Sequence, residues 1–200
     1  TQRNSLLRQV RDGRATAGEL DFWDAELAKE GAAIIGRRDE VVRLLSPLAA
    51  ASYQGLAGDE TLAVAYAPSV TAESIAKAVA QQRPIDMRSG VTSIGPHRDD
   101  LSMAIDAMPA ATYASRGQAR TIGLALRLAE ASFLRESRRQ EPVLLLDDVL
   151  SELDPSRRHR VLAEAAAYQQ ALITTADPAQ VFDAPVKPSA VVRVEKRGVV

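Results

Sequence analysis

Apolar positions along this 200-residue chain fall into three zones. From Thr1 to about residue 60 the period is helical. Leu6, Leu7 and Val10 open it, Gly13 and Gly18 interrupt it, and a long helix follows. In that helix Leu27, Ile34, Val41 and Leu48 recur every seventh residue, with Gly31, Arg38 and Leu45 between them. The stripe suits a helix packed in a local bundle or a short coiled-coil-like arm; Arg38 and Gly31 in the seam count against the arm. Residues 61–110 mix elements and form a bridging segment. Leu62, Val64 and Tyr66 alternate as a strand does, and Thr71 begins a short helix through Ile75, Ala78 and Val79. Turn residues then dominate from Pro84 to Asp100. Leu101, Met103 and Ile105 alternate again, with Met108-Pro109 as the turn before a partner strand ending near Tyr113.

From Ala114 the order becomes loop, helix, strand, helix, strand. Ser115-Arg116-Gly117-Gln118 opens a helix with Ile122, Leu126, Ala129 and Phe133 on one face. Val143 to Leu146 reads as a fully buried strand of a parallel sheet, and Ala171–Thr175 and Val191–Val194 as further buried strands. Asp154-Pro155 starts the intervening helix, with Asp154 as its cap and Pro155 in the first turn. The fold class expected is α/β (α+β overall): a helical lobe over 1–60, the bridge over 61–110, and part of a mostly parallel-sheet domain over 111–200.

Composition narrows the function classes. Hydrophobic residues make up 46% and charged residues 26%, as in ordinary globular proteins. A net charge of −1 gives no global attraction to nucleic acid, so a DNA surface would have to be a local patch. The absence of cysteine excludes disulfides and thiolate metal sites and fits a reducing cytoplasm. No apolar run approaches the roughly 20 residues that cross a bilayer, so no membrane partner is expected. The chain opens on Thr1 in a polar helical segment, which reads as a cut inside a longer protein.

The chemistry-bearing residues lie in the third zone. Asp147 and Asp148 end an apolar strand, where open α/β sheets bind ligands. Asp147 could hold Mg²⁺ beside phosphates, and Asp148 could orient or deprotonate an attacking water. The plain alternative is two acids solvating a strand end. One helix earlier, the Ser115 hydroxyl, the Gly117 backbone and a helix amino terminus make an anion site. Ser151-Glu152-Leu153-Asp154 follows the acids at once.

In that order these stretches resemble the signature loop, Walker B strand and D-loop of ABC-type ATPase heads. Gly95-Pro96-His97-Arg98-Asp99-Asp100-Leu101, Arg120-Thr121 and the early Gln2-Arg3-Asn4 and Asp21-Phe22-Trp23-Asp24 narrow the likeness to RecF, the bacterial recombination-repair relative of the SMC ATPases. The resemblance covers essentially the whole chain. It implies a two-lobed cytoplasmic head, an ATP-dependent homodimer that binds gapped, single-stranded and double-stranded DNA. It implies work with RecO and RecR to place RecA on DNA, in repair, replication, recombination and the SOS response. Carried over, Ser115, Gly117 and Gln118 act in trans on ATP held by the partner protomer, and Asp147 (with Mg²⁺) and Asp148 (catalytic) act in cis. Ser151 and Asp154 cross the dimer interface. Thr174-Thr175 stand where many ABC heads have a switch histidine, and Asp148 stands where glutamate is common, which suggests slow hydrolysis. Arg98 is a candidate ligand residue, against the alternative that its motif is only a turn held by Asp side chains and Pro96.

One element of the family pattern is missing from this chain. A phosphate-cradling Walker A loop needs glycine followed by lysine, and none of the eleven glycines is followed by lysine. In RecF that loop lies upstream, so this stretch alone is expected not to turn over ATP. A non-catalytic DNA- or partner-binding module is the alternative. Arg157, Arg158, His159 and Arg160, with Arg135, Arg138 and Arg139, form its candidate basic surface, or else solvated helix faces.

Overall fold

Two amphipathic helices begin the chain. Helix α1 (Gln2–Arg11) buries Leu7 and ends before Gly13, whose φ is 71°. Helix α2 (Leu20–Ala57) follows a short 3-10 turn at Ala17–Glu19, where Thr16 and Glu19 form a capping box. The computed structural model describes residues 2–182, 187–195 and 198–199. The heptad spacing in α2 is real but its phase differs from the expected one. Ile34 and Val41 are 44% and 38% exposed, while Gly31, Ile35, Ala49, Tyr53 and Leu56 are buried. Leu27 is partly buried against the Ile35 cluster. The buried seam therefore runs one residue later, through Ile35, Ala49 and Leu56.

Strand β1 (Leu62–Ala67) alternates as expected, with Leu62 and Val64 buried. Helix α3 (Ile75–Ser89) runs further than the sequence suggested, through Pro84, and stops at Gly90 in the left-handed conformation. The segment from Pro84 is thus half helix rather than all loop. Strand β2 (Asp100–Ile105) turns through Asp106 and Ala107, both at positive φ, into β3 (Met108–Pro109). Met108-Pro109 is therefore strand, paired antiparallel with Ala104-Ile105, and α4 (Ala110–Tyr113) replaces the expected partner strand. Sheet order is β1-β2-β3.

Helix α5 (Arg116–Arg138) buries Ile122, Leu124, Leu128 and Ala129. Strand β4 (Leu144–Asp147), helix α6 (Pro155–Ala165) and strand β5 (Ala171–Thr174) complete a parallel crossover unit. Its register pairs Leu144 with Ala171 through to Asp147 with Thr174. Strand β4 is not buried on both faces. Leu144 and Leu146 are covered, but Leu145 is 69% exposed. A short helix α7 (Ala179–Phe182) follows. Strands β6 (Val194–Glu195) and β7 (Gly198–Val199) pair antiparallel. The expected buried strands are corrected accordingly: in β5 Ala171, Leu172 and Thr174 are exposed, and Val191, Val192 and Val194 are exposed as well.

Contacts divide the chain into two compact units, one of Thr1–Ser46 with Val64–Met103, the other of Pro47–Ala63 with Ala104–Val200. The middle segment is shared between them, and the division enters α2 at Pro47, which cannot donate a helical hydrogen bond.

The first unit is held by polar as well as apolar contacts. Ile35, Ile75 and Val79 make its apolar cluster. Arg3, 5% exposed, donates to Asp24 at 2.9 Å, to the fully buried Asp86 at 2.9 Å and to Thr92 at 2.6 Å. Asp86 in turn accepts from the Ser93 amide and hydroxyl. The Gly95–Asp100 motif is built the same way. Gly95 has φ 121° and ψ −179°, a conformation open to glycine alone, and its backbone is tied to the Ser69 hydroxyl. Arg38 donates to Pro96 O at 2.5 Å. The Asp99 side chain, 1% exposed, accepts from Tyr66, from the Ser69 amide at 2.8 Å and from the Ser69 hydroxyl at 3.0 Å. Burial alone would raise its pKa, but these donors and Arg38 outweigh burial and hold it below the usual carboxylate value.

Because the folded value is depressed, Asp99 contributes stability above its unfolded value of about 3.9, and that contribution is lost as pH falls through the folded value. Asp99→Asn should destabilise the first unit at pH 6, with the difference from the parent shrinking as pH drops below about 4. Urea unfolding at the two pH values measures it; a constant difference would rule out the ionised knot.

Candidate functional site

Helix α5 opens with a reciprocal cap. The Ser115 hydroxyl accepts from the Gln118 amide at 3.2 Å, and Gln118 Oε1 accepts from the Ser115 amide at 2.8 Å. The cap takes up the Gln118 amide; those of Arg116 and Gly117 are ones an α-helix leaves without an internal acceptor. Ser115 is exposed, and its hydroxyl hydrogen remains available to donate outward.

Helix α6 opens in a related way, on Asp154 with Pro155 in its first turn. Asp154 Oδ1 accepts from the Arg157 amide at 3.0 Å. That bond, helped by the Arg157 charge, holds the Asp154 carboxyl below its usual pKa. The Arg157 guanidinium lies 3.6 Å from Asp154 Oδ2 and spans the gap to the other helix start. A side chain on Gly117 would meet Arg157 Nη1 at 3.1 Å, so the end of this arginine lies beside the other helix opening and would have to give slightly.

The strand-end acids sit at the carboxyl end of β4. Asp147 Oδ1 accepts from the Thr174 hydroxyl at 2.5 Å, and the same hydroxyl oxygen accepts from the Asp148 amide at 3.0 Å. Thr174 thus fixes both acids from the neighbouring strand. Thr175 does not join them; its hydroxyl faces Asp177 and Gln180. Asp148 has left-handed backbone geometry, and its carbonyl accepts from the Ser151 hydroxyl at 2.9 Å. Asp147, Asp148 and Ser151 are exposed. Alongside β4 a groove of about 720 Å³ runs between Asp147, Leu145 and the Gly123–Arg127 side of α5.

Among the described residues no three acids or histidines cluster as a self-sufficient metal cage. Mg²⁺ seldom needs one, because it takes one or two carboxylates and fills its sphere with water and phosphate oxygens. Asp147, an exposed all-oxygen donor beside a hydroxyl, suits that role.

Arg98 belongs to the first unit, where it donates to Thr92 O at 3.4 Å. The basic cluster on α6 is mostly engaged with the protein's own backbone. Arg158 donates to Leu150 O and Leu153 O, capping the turn after Asp148, and Arg160 donates to Leu56 O at 3.0 Å. Arg135 lies over the Tyr168 ring, 5.8 Å from its centroid. Arg158, Arg160 and Arg135 thus help brace the fold, while Arg138, Arg139 and His159 are exposed.

Two residues that carry no motif complete the assembly. Gln118 Nε2 donates to Glu60 Oε1 at 3.0 Å, and Glu60 Oε2 accepts from the buried Tyr53 hydroxyl at 2.6 Å. Burial, then Glu60, pushes the Tyr53 pKa up, so it stays a proton donor. Nothing in the sequence around Glu60 marks it, because its partner is 58 positions away.

A parallel strand pair with acids at its carboxyl end, crossed over by a helix that opens on Asp154, places this chain in the α/β class. No protein-family model matches it. Curated relatives do. The chain is 44% identical over 177 residues to the DNA replication and repair protein RecF of Moorella thermoacetica, covering 88% of this chain and 48% of that one. It is 40% identical over 185 residues to RecF of Heliobacterium modesticaldum, covering 88% and 50%. Among solved structures, the recombination mediator protein RecF with ATP, in the RecFOR pathway, superposes with a TM-score of 0.76 at 30% identity, over 88% of this chain and 50% of that one. The chain belongs to the RecF family. It spans about half the length of the curated relatives it matches.

Asp154→Ala removes the cap of α6 and the anchor of Arg157 together. It should cost about 1 kcal/mol or more in thermal or denaturant unfolding, the usual toll of a lost cap. A cost near zero would show that Asp154 does not hold this junction.

Proposed function

We propose that this chain is the carboxy-terminal part of a RecF-type protein of DNA replication and repair, an ATP-dependent dimerising ATPase that binds DNA. In this reading it works with RecO and RecR to place RecA on gapped DNA. The observation that carries the reading is Arg157, which is held by Asp154 and ends beside Gly117 at the opening of α5. A helix amino terminus with a cation beside it favours an anion. Identity of 40–44% to RecF proteins supplies the class of anion, a nucleotide phosphate.

The resemblance to RecF supplies the roles. The Ser115 hydroxyl and the amides of Arg116 and Gly117 meet a phosphate held by a partner protomer, while Gln118, engaged at both ends, shapes the turn. Asp147 holds Mg²⁺, which when bound neutralises phosphate charge, and Thr174 fixes the carboxylate for that task. Asp148, exposed and free of the cap, orients the attacking water. Ser151 and Asp154 shape the D-loop that meets the partner.

Two outcomes test this. The 200-residue chain alone should bind MgATP weakly and not hydrolyse it, since no glycine-lysine phosphate cradle occurs in it; micromolar binding by calorimetry would contradict that. In a full-length RecF-type chain, Ser115→Arg should abolish ATP-dependent dimerisation, read by light scattering, with ATP binding to the monomer nearly unchanged. Asp148→Asn should dimerise and then persist, because hydrolysis releases the dimer. Asp147→Asn should lose hydrolysis and shorten dimer lifetime together. Dimerisation by Ser115→Arg, or parental hydrolysis by Asp148→Asn, would refute the assignment.

A further inference from the structure

The turn that opens α5 is short, exposed and rich in donors, yet it needs a fixed shape to present them. Its shape depends on Gln118. The side-chain oxygen of Gln118 closes the cap on the Ser115 amide, and it can do so only while the amide plane keeps one orientation. A glutamine amide can turn over by half a rotation and exchange oxygen for nitrogen at nearly the same shape. Something must select the orientation. Here that is Glu60, a pure acceptor when ionised, which can receive only the nitrogen end.

Glu60 is itself held. Its second oxygen takes the hydroxyl of Tyr53, a fully buried side chain on the last turns of α2. All three residues belong to the second compact unit. Nearby, Arg160 donates to Leu56 O and packs over Gly58, tying the same chain segment to α6. The sequence from Tyr53 to Glu60 is thus held at several points, and its acidic end is bonded to Gln118.

We propose that Glu60, braced by Tyr53, is a positioning residue that locks the Gln118 amide and so sets the shape of the Ser115–Gln118 turn for phosphate contact. This rests on the reading of that turn as a phosphate-contacting loop. Glu60 touches no phosphate in this scheme and acts only through Gln118. Its charge gives the idea a distinctive sign. Removing a carboxylate from beside an anion-binding turn should, by charge alone, favour nucleotide-linked association. Loss of positioning should weaken it.

The test uses a full-length RecF-type chain with Glu60→Gln, Tyr53→Phe and Ser115→Arg side by side. Both of the first two preserve shape. Glu60→Gln removes the charge and is no longer a pure acceptor; the Tyr53 hydroxyl can turn to accept from it, and the Gln118 amide is then no longer held to one orientation by a carboxylate. The protein concentration for half-maximal ATP-dependent association should rise about tenfold, the worth of one hydrogen bond to a charged group. ATP affinity of the monomer should stay within about twofold by calorimetry, since the turn acts on the partner's nucleotide. Tyr53→Phe should shift association in the same direction by less. Amide exchange over residues 115–118 should quicken in Glu60→Gln, a readout that needs no dimer. If Ser115→Arg fails to associate while Glu60→Gln associates at or below the parental concentration, positioning by Glu60 is wrong and the turn's role stands. Association of Ser115→Arg at the parental level overturns that role and the inference with it. Unchanged exchange over residues 115–118 also overturns the inference.

Discussion

The parallel pairing of β4 with β5 fixes the polar end of the second unit. Its register sets Asp147 opposite Thr174, and one hydroxyl then serves two acids, donating to the Asp147 carboxylate and accepting from the Asp148 amide. A shift of one residue would place Ile173 or Thr175 there instead, and would turn each side chain to the other face. The crossover between the strands is the short turn after Asp148 and helix α6, so the same pairing also determines where α6 begins. From that start Arg157 reaches Gly117. Pairing, acids and helix openings are thus consequences of one ladder.

Arginine does most of the remaining joining, and it does so by donating to backbone carbonyls. Arg158 closes the turn between the acids and α6, and Arg160 holds the end of α2. A guanidinium suits this work because its planar fork offers several donors in fixed directions and is never neutral. Within the most basic stretch, Arg158 and Arg160 thereby also serve the fold. In the first unit the pattern repeats with Arg3 at Asp24 and Asp86, where a buried charge is tolerated only because its partners are buried with it.

Much of the candidate site was legible in the sequence because its parts are local. A cap is a local device, which is why Asp154 could be read as one and Ser115–Gln118 as a helix opening; the reciprocal Ser115–Gln118 bonds show only in the structure. The strand ending in Asp147-Asp148 was legible for the same reason. What failed needed tertiary information. The α2 seam was read one residue early because Ile34 and Ile35 are equally apolar and only packing against Ile75 and Val79 chooses between them. Helix α3 continues past Pro84 because Asp86 is drawn into the Arg3 network, which outweighs local propensity. The valines at 191–194 carry strand propensity but are exposed, with only Val194 in a strand. Glu60 was invisible because a carboxylate in a polar turn has no pattern of its own.

The geometry at position 148 also accounts for the residue found there. Asp148 has φ 49° and ψ 25°, left-handed geometry that costs most residues roughly 1–2 kcal/mol and that Asp and Asn tolerate best after glycine. The backbone cannot easily leave this state, because its amide is bound by Thr174 and its carbonyl by Ser151. Glycine would fit the conformation but bring no carboxylate. Glutamate would bring one on a longer arm, with a less tolerant backbone. Aspartate is the residue that satisfies the turn and still presents an acid, since its carboxylate takes no part in capping and remains exposed. The shorter side chain is then a consequence of the sharp turn between β4 and α6.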